Sequence, residues 1–138
     1  TMSKKPEKCV FVLSEKLSPG QALNCTALLG ASLGGQYPDH IGENYKDADG
    51  VFHLGLLSLP VVILKAREEE LIQIRHNALE LEKTKCIDLT NISQEAMEYK
   101  DLVERASKTR FSAFKYIALS LFGDSGEISD LTRDLKLY

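Results

Sequence analysis

The first strongly apolar stretch of the chain, residues 9–13 (CVFVL), is continuous rather than interrupted by polar residues. A continuous run of this length is typical of a strand that is covered on both faces, as in a parallel or mixed sheet. Further strands are predicted at residues 61–64 (VVIL), 86–89 (CIDL) and 114–122 (FKYIALSLF). The pattern therefore predicts a sheet of about four to five strands.

An uncharged helix is predicted directly after the first strand. Ser18 is a preferred N-cap residue, and Gln21 stands three positions later, where it can complete a capping box. No charged residue occurs between positions 17 and 38, and apolar residues recur nearly all round the helix. We therefore expect this helix to be buried. It is too short and too polar for a membrane span, so no membrane partner is predicted.

The middle of the chain predicts a hairpin, a helix and a strand. The turn signal at residues 47–50 (DADG) favours a small hairpin between residues 44–46 and 51–53. Acidic residues at positions 68–70 then open a helix, where negative charge is favourable. Apolar residues at helical spacing predict its core-facing stripe, at Leu71, Ile74, Ala78 and Leu81.

The C-terminal third predicts a further helix, the last long strand and a short helix. Ser93 can cap a helix that runs to about Ala106, and Asp124 with Glu127 can cap a short helix through Leu131. The alternation of strands and helices indicates a single-domain layered α/β fold, with a mixed sheet and helices on both faces. This domain is expected to span residues 8–138. Residues 1–7 are predicted to be a flexible N-terminus, in which Thr1 before Met2 is a tag remnant.

Composition narrows the class of protein. The 138 residues, 43% of them hydrophobic and 27% charged, suit one globular domain. The net charge of −3 argues against a dedicated nucleic-acid binder, so tRNA is a less favoured partner than a small ligand. The 3 cysteines have no zinc-site spacing and are predicted to be reduced thiols, and no metal or cofactor is predicted. A signal peptide is not evident, so we expect a cytoplasmic location.

Several segments resemble an uncharacterised bacterial family known only as domain of unknown function 2000. They are residues 8–13 (KCVFVL), 19–24 (PGQALN), 53–55 (HLG) and 60–66 (PVVILKA). The resemblance covers nearly the full chain. That family is thought to share the fold of type II peptidyl-tRNA hydrolases, so the resemblance implies a peptidyl-tRNA hydrolase II-like α/β fold.

Both ends of the chain also resemble the hydrolases themselves, at residues 15–22 and 128–137. The resemblance implies that Lys16 corresponds to the first lysine of the hydrolase loop. It also implies that Asp88 and Thr132 correspond to an acidic residue and a threonine of the active site. Gln21 replaces a lysine that is assigned to catalysis in that family. In a hydrolase, Lys16 would orient phosphate, while Asp88 and Thr132 would position water.

From the residues alone, the best candidate ligand site is the start of the first helix. The first N–H groups of a helix lack intrahelical partners, and ligands of α/β sheets sit at the carboxyl ends of strands. We expect Ser18, Gly20 and Gln21 to bind an anion or a carbonyl oxygen, unless Ser18 and Gln21 satisfy these groups themselves. Asn24, one turn further on, either contacts the ligand or braces the loop. His53 is a further candidate contact.

Three functions follow as hypotheses. The favoured one is a binding or regulatory module for a small anionic or carbonyl-bearing ligand. The second is a hydrolase of an ester such as peptidyl-tRNA. The third is a structural homo-oligomer, such as a homodimer, in which residues 54–59 or the glycine-rich helix end pack against a second copy.

Overall fold

The central strand of the sheet is β1 (Glu7–Ser14), in a computed structural model that describes residues 7–138. It lies between β4 (Val61–Ala66), which is parallel to it, and β6 (Tyr116–Asp124), which is antiparallel. The outer strands are β5 (Thr84–Thr90), beside β6, and the short β7 (Lys136–Leu137), beside β4. The predicted mixed α/β fold is therefore confirmed. The expected tag remnant lies outside the described residues.

A separate two-stranded ribbon is formed by β2 (Tyr45–Lys46) and β3 (Phe52–His53), as the turn signal predicted. The backbone N–H of Asp47 donates to the oxygen of Val51 at 3.1 Å, which closes the hairpin. The base of this hairpin is joined by a bridge between Ile41 and Leu57. The ribbon is thus an arm on the sheet rather than part of it.

Helices cover both faces of the sheet. On one face lies α1 (Pro19–Gln36), and on the other lie α2 (Glu68–Leu79) and α5 (Ser125–Leu131). Odd-numbered residues of β1, among them Cys9 and Leu13, pack toward α1, and the even-numbered ones pack toward α2. Two apolar layers explain why this strand reads as a continuous hydrophobic run. None of the helices in residues 7–138 combines the length and the apolar character that crossing a membrane requires.

The predicted burial of α1 on all sides is wrong. Its buried residues form one stripe, at Ala22, Cys25, Leu29 and Leu33. By contrast, Leu23 is 71% exposed and Leu28 is 49% exposed. The sheet covers one side of the helix only, and no other element in the described part of the chain packs over its outer side.

The helix predicted from Ser93 to Ala106 is two helices, α3 (Asn91–Glu95) and α4 (Tyr99–Ser107). Thr90, not Ser93, is the N-cap of α3, and Ser93 is its capping-box partner. The chain is extended at Ala96, and the carboxylate of Asp101 accepts a bond from the Met97 N–H at 3.2 Å before α4 begins. Local side-chain bonds of this kind compete with helix continuation.

Several predicted boundaries also shift. The strand expected at 86–89 extends in both directions as β5, and β6 begins at Tyr116 because residues 111–113 form a single 3-10 turn. In α2, Leu71, Ile74 and Ala78 are buried as predicted, whereas Leu81 follows the end of the helix. Asp124 does cap α5, by accepting the N–H of Glu127 at 2.9 Å.

Candidate functional site

The start of α1 carries the predicted capping box. Ser18 N–H donates to Oε1 of Gln21 at 3.0 Å, and Gln21 N–H donates to Oγ of Ser18 at 3.3 Å. Ala22 N–H donates to the carbonyl oxygen of Ser18 at 2.9 Å, and Pro19 has no N–H to offer. Of the first four helical residues, only Gly20 keeps an uncommitted N–H. The capping box therefore satisfies most of the backbone N–H groups that were expected to bind an anion.

A groove lies beside this helix start, between α1 and α3. Its volume is about 440 Å³, and its floor is Leu89 of β5. Its polar side chains are Gln21 and Asn24 from α1, and Ser93 and Gln94 from α3. These four groups are uncharged, so the groove offers hydrogen-bond donors and acceptors without net charge. The structure thus places Gln21 and Asn24 in one groove and adds Gln94, which no sequence pattern indicated.

The groove continues over the carboxyl edge of the sheet. A second cavity, of about 270 Å³, shares Gln21 and Gln94 with the groove. Here Glu68 and Lys115 contribute one negative and one positive charge. This continuation arises because β1, β4 and β5 run in one direction, so their carboxyl ends meet at one edge. Ligand sites of open α/β sheets occupy this position.

Cys25 lies at the base of the groove, with 3% of its surface exposed. Burial raises the pKa of its thiol above the ordinary value. Its position near the positive end of a helix would lower the pKa, but desolvation is the larger effect here. A raised pKa leaves the thiol protonated near neutral pH, so Cys25 is a packing residue of the groove.

The three candidate catalytic residues do not form one site. Lys16 is exposed in the loop after β1. Asp88 lies within β5 and faces α2, where Arg75 Nε donates to its Oδ2 at 2.9 Å. Thr132 is buried at the end of α5, and its hydroxyl donates to the oxygen of Ile128 at 2.8 Å. Asp88 and Thr132 are bonded to their own neighbours, and no hydrogen bond or ion pair joins any two of the three residues.

His53 lies on the hairpin arm and not beside the start of α1. Its Nε2 is 2.9 Å from Oδ2 of Asp47, and its ring stacks on that of Tyr45 at 5.1 Å. The arm adjoins the C-terminal end of α1, where Gly34 faces Ile41. A helix of 18 residues is about 27 Å long, so its two ends cannot share one small ligand.

Other proteins share the sequence pattern and the fold of this chain. Residues 7–138 match the model of a family described as protein of unknown function, DUF2000. Among curated proteins, none matches the sequence. A solved structure of a protein of unknown function from Agrobacterium tumefaciens strain C58 is similar, with a TM-score of 0.85 and 23% identity. The similarity covers 96% of this chain and 97% of that one, and at this identity it shows the fold alone. Because the family model spans the whole described part of the chain, this protein belongs to the DUF2000 family.

Proposed function

We propose that this domain binds a small neutral ligand with an amide or carbonyl group, in the groove between α1 and α3. The observation that carries the proposal is the convergence of three carboxamide side chains, Gln21, Asn24 and Gln94, on one concave surface. Asn24 and Gln94 can both donate and accept, as an amide ligand does, and Gln21, whose Oε1 accepts from Ser18 N–H, still offers its NH₂ group. Apolar contact with Leu28 and Leu89 would favour a ligand that also has a small apolar part.

The charge of the groove favours this neutral ligand over an anion, which was the other ligand expected from the sequence. Among residues 7–138, no lysine, arginine or histidine lines the section beside α1. Where the groove continues, Lys115 is matched by Glu68. Within the described chain, a ligand anion would therefore meet the N–H of Gly20 and a lining without net positive charge. The favoured ligand is accordingly the carbonyl-bearing one.

The test is an NMR titration that reads the side-chain NH₂ signals of Gln21, Asn24 and Gln94. The probe is N-acetyl-L-leucinamide, a neutral molecule with two amide groups and an apolar side chain. We expect these signals to shift saturably with this probe and to stay unchanged with acetate or phosphate. Asn24→Leu removes one carboxamide at an exposed helical position, and it should weaken binding about two- to tenfold.

The matched control is Gln36→Leu, which removes a carboxamide at the other, exposed end of the same helix. This control should bind the probe as the wild type does. Shifts with acetate but not with the neutral amide would contradict the proposal. So would an affinity for the amide that Asn24→Leu leaves unchanged.

A homo-oligomer is the second candidate, because the hairpin arm exposes several apolar side chains. Phe52 is 67% exposed, Leu54 80% and Leu56 73%. An isologous contact needs a self-complementary surface, and Lys46 and Asp47 on the same arm supply charges of both signs. We expect sedimentation to show a dimer that Leu54→Glu with Leu56→Glu dissociates, and that Leu79→Glu on α2 leaves intact. A wild-type monomer at high concentration would exclude this role.

The hydrolase hypothesis gains no comparable support. It rests on the resemblance to type II peptidyl-tRNA hydrolases, while Asp88 and Thr132 are engaged by separate partners and Lys16 is exposed in a loop. The thiols of Cys9, Cys25 and Cys86 are unbonded to one another, which suits the cytoplasm that we propose as the compartment.

A further inference from the structure

A third cavity lies on the opposite side of the sheet from α1. It is enclosed by α2, α4, β5 and the start of β6, and its volume is about 260 Å³. Its polar wall holds Arg75, Asp88 and Tyr116, and its apolar wall holds Leu102, Phe111 and Phe114. The cavity thus combines a charged end with an aromatic end, as small-molecule sites do.

Arg75 is the unusual group of this cavity. Its side chain is 16% exposed, and its Nε donates to Asp88. A guanidinium has five N–H donors, so this bond leaves both terminal nitrogens for another acceptor. The phenol oxygen of Tyr116 lies within hydrogen-bonding reach of the guanidinium, and within residues 7–138 no carbonyl or second carboxylate accepts from it. The donors that remain line the cavity, where water or a ligand can accept from them.

Asp88 is the complementary group. Its Oδ2 accepts from Arg75, which leaves Oδ1 without a hydrogen-bond partner in the described chain. The side chain is 32% exposed. The two residues together present one cation with open donors and one anion with an open acceptor to the same cavity. A ligand that brought only one charge would leave that charge uncompensated in a half-buried site, which is costly.

The aromatic end of the cavity is held in place by a neighbour. The ring of His76, the residue after Arg75 on α2, stacks on Phe111 with a centroid distance of 4.7 Å. Phe111 is in the 3-10 turn that precedes β6. The helix that supplies the guanidinium therefore also fixes one aromatic wall. Apolar side chains of a ligand can pack there with little rearrangement.

We propose that this cavity binds a small zwitterion of the amino-acid type, with an apolar side chain. The terminal nitrogens of Arg75 hold the carboxylate, for which the guanidinium fork is suited. Oδ1 of Asp88 accepts from the ammonium group. Phe111, Phe114 and Leu102 surround the side chain. The bound ligand leaves the net charge of the cavity unchanged, and it pairs with the Arg75 donors and the Asp88 oxygen that line the cavity.

The test uses L-phenylalanine and two analogues that each lack one charged group. The sequence has no tryptophan, so Phe111→Trp places a single fluorescent reporter on the cavity wall. We expect a saturable fluorescence change with L-phenylalanine. Binding of 3-phenylpropionate and of 2-phenylethylamine should be at least about tenfold weaker, the ratio that loss of a hydrogen bond to a charged group produces. Arg75→Gln should remove the preference for L-phenylalanine over 2-phenylethylamine.

Two controls separate this cavity from other surfaces. Phe52→Trp places the reporter on the hairpin arm, where L-phenylalanine should cause no change. Asn24→Leu, in the groove on the other face, should leave the affinity for L-phenylalanine unaltered. Saturation-transfer NMR on the unsubstituted protein ranks the same three ligands without any change to the cavity. No binding of L-phenylalanine at about 10 mM, or equal binding of all three ligands, would overturn the proposal.

Discussion

Gly123 on β6 lies against the backbone of Lys83 so closely that no side chain fits between them. A Cβ atom at Gly123 would stand 2.0 Å from the carbonyl oxygen of Lys83, and φ of Gly123 is +140°. Glycine alone adopts this conformation without strain. The contact sets the register between the last residues of β6 and the start of β5, where the N–H of Asp124 donates to the same oxygen at 3.0 Å.

Gly123→Ala should therefore destabilise the fold. We expect the free energy of unfolding to fall by about 2–4 kcal/mol, from backbone strain and the clash with Lys83 together. The measurement is urea denaturation followed by circular dichroism. The matched control is Gly30→Ala in α1, where an added Cβ meets nothing within 4 Å. That substitution should raise the free energy of unfolding by about 0.5–1 kcal/mol, because alanine favours a helix over glycine. Equal effects of the two would contradict the close approach at Gly123.

Arg75 and Asp88 should be coupled energetically. Each removal leaves the other half-buried group without its partner, so Arg75→Gln and Asp88→Asn should each lower the free energy of unfolding by about 1–3 kcal/mol. The double variant should be less destabilised than the sum, because no unpaired charge remains. Strict additivity in a double-mutant cycle would show that the 2.9 Å bond contributes nothing.

The capping box of α1 should contribute to stability as caps do elsewhere. Ser18→Ala removes the acceptor of the Gln21 N–H, and we expect a loss of about 1 kcal/mol in the free energy of unfolding. Ser32→Ala, on the exposed surface of the same helix, is the control and should change the free energy of unfolding by less than about 0.5 kcal/mol. Similar losses at both positions would show that the cap is not used.

Cys86 should make stability fall at alkaline pH. Burial raises the pKa of its thiol from 9.0 to about 12, and the pKa of Cys9 is raised from 9.0 to about 11 in the same way. Above pH 9 the unfolded chain releases protons that the folded chain retains, so the free energy of unfolding falls as pH rises. The stabilisation that comes from these two protonated thiols is complete below pH 9. It is lost as the pH approaches the raised pKa values of about 11 for Cys9 and about 12 for Cys86. Cys86→Ala should reduce the slope of the free energy of unfolding between pH 9 and 11. An unchanged slope would show that Cys86 is accessible to water.

The elements that the sequence predicted best are those defined by local chemistry. The capping box of Ser18 and Gln21, the hairpin around residues 47–50 and the buried stripe of α2 depend on residues a few positions apart. The continuous apolar run of β1 also predicted a strand with a layer on each face, because both sets of its side chains are buried. Such patterns lie within short stretches of sequence, so they can be recognised without knowledge of the fold.

The predictions that proved wrong concern burial and element boundaries, which depend on tertiary packing. The outer side of α1 is exposed although it is uncharged, since no element covers it, and apolar composition alone does not reveal a missing neighbour. The division between α3 and α4 depends on the bond from the Met97 N–H to Asp101. The strand predicted at residues 86–89 is too short because β5 extends beyond its most apolar residues.

The sequence by itself determined the layered α/β class, the central strand and the neutral, capped start of α1, because these follow from hydrophobic period and side-chain capping. Tertiary structure decided which residues share a site. It placed Gln94 of α3 opposite Gln21 and Asn24, carried His53 away to the hairpin arm, and paired Asp88 with Arg75 on the far face of the sheet. The order of the strands and the face of the sheet decide which residues lie close together. Neither can be read from the spacing of these residues along the chain.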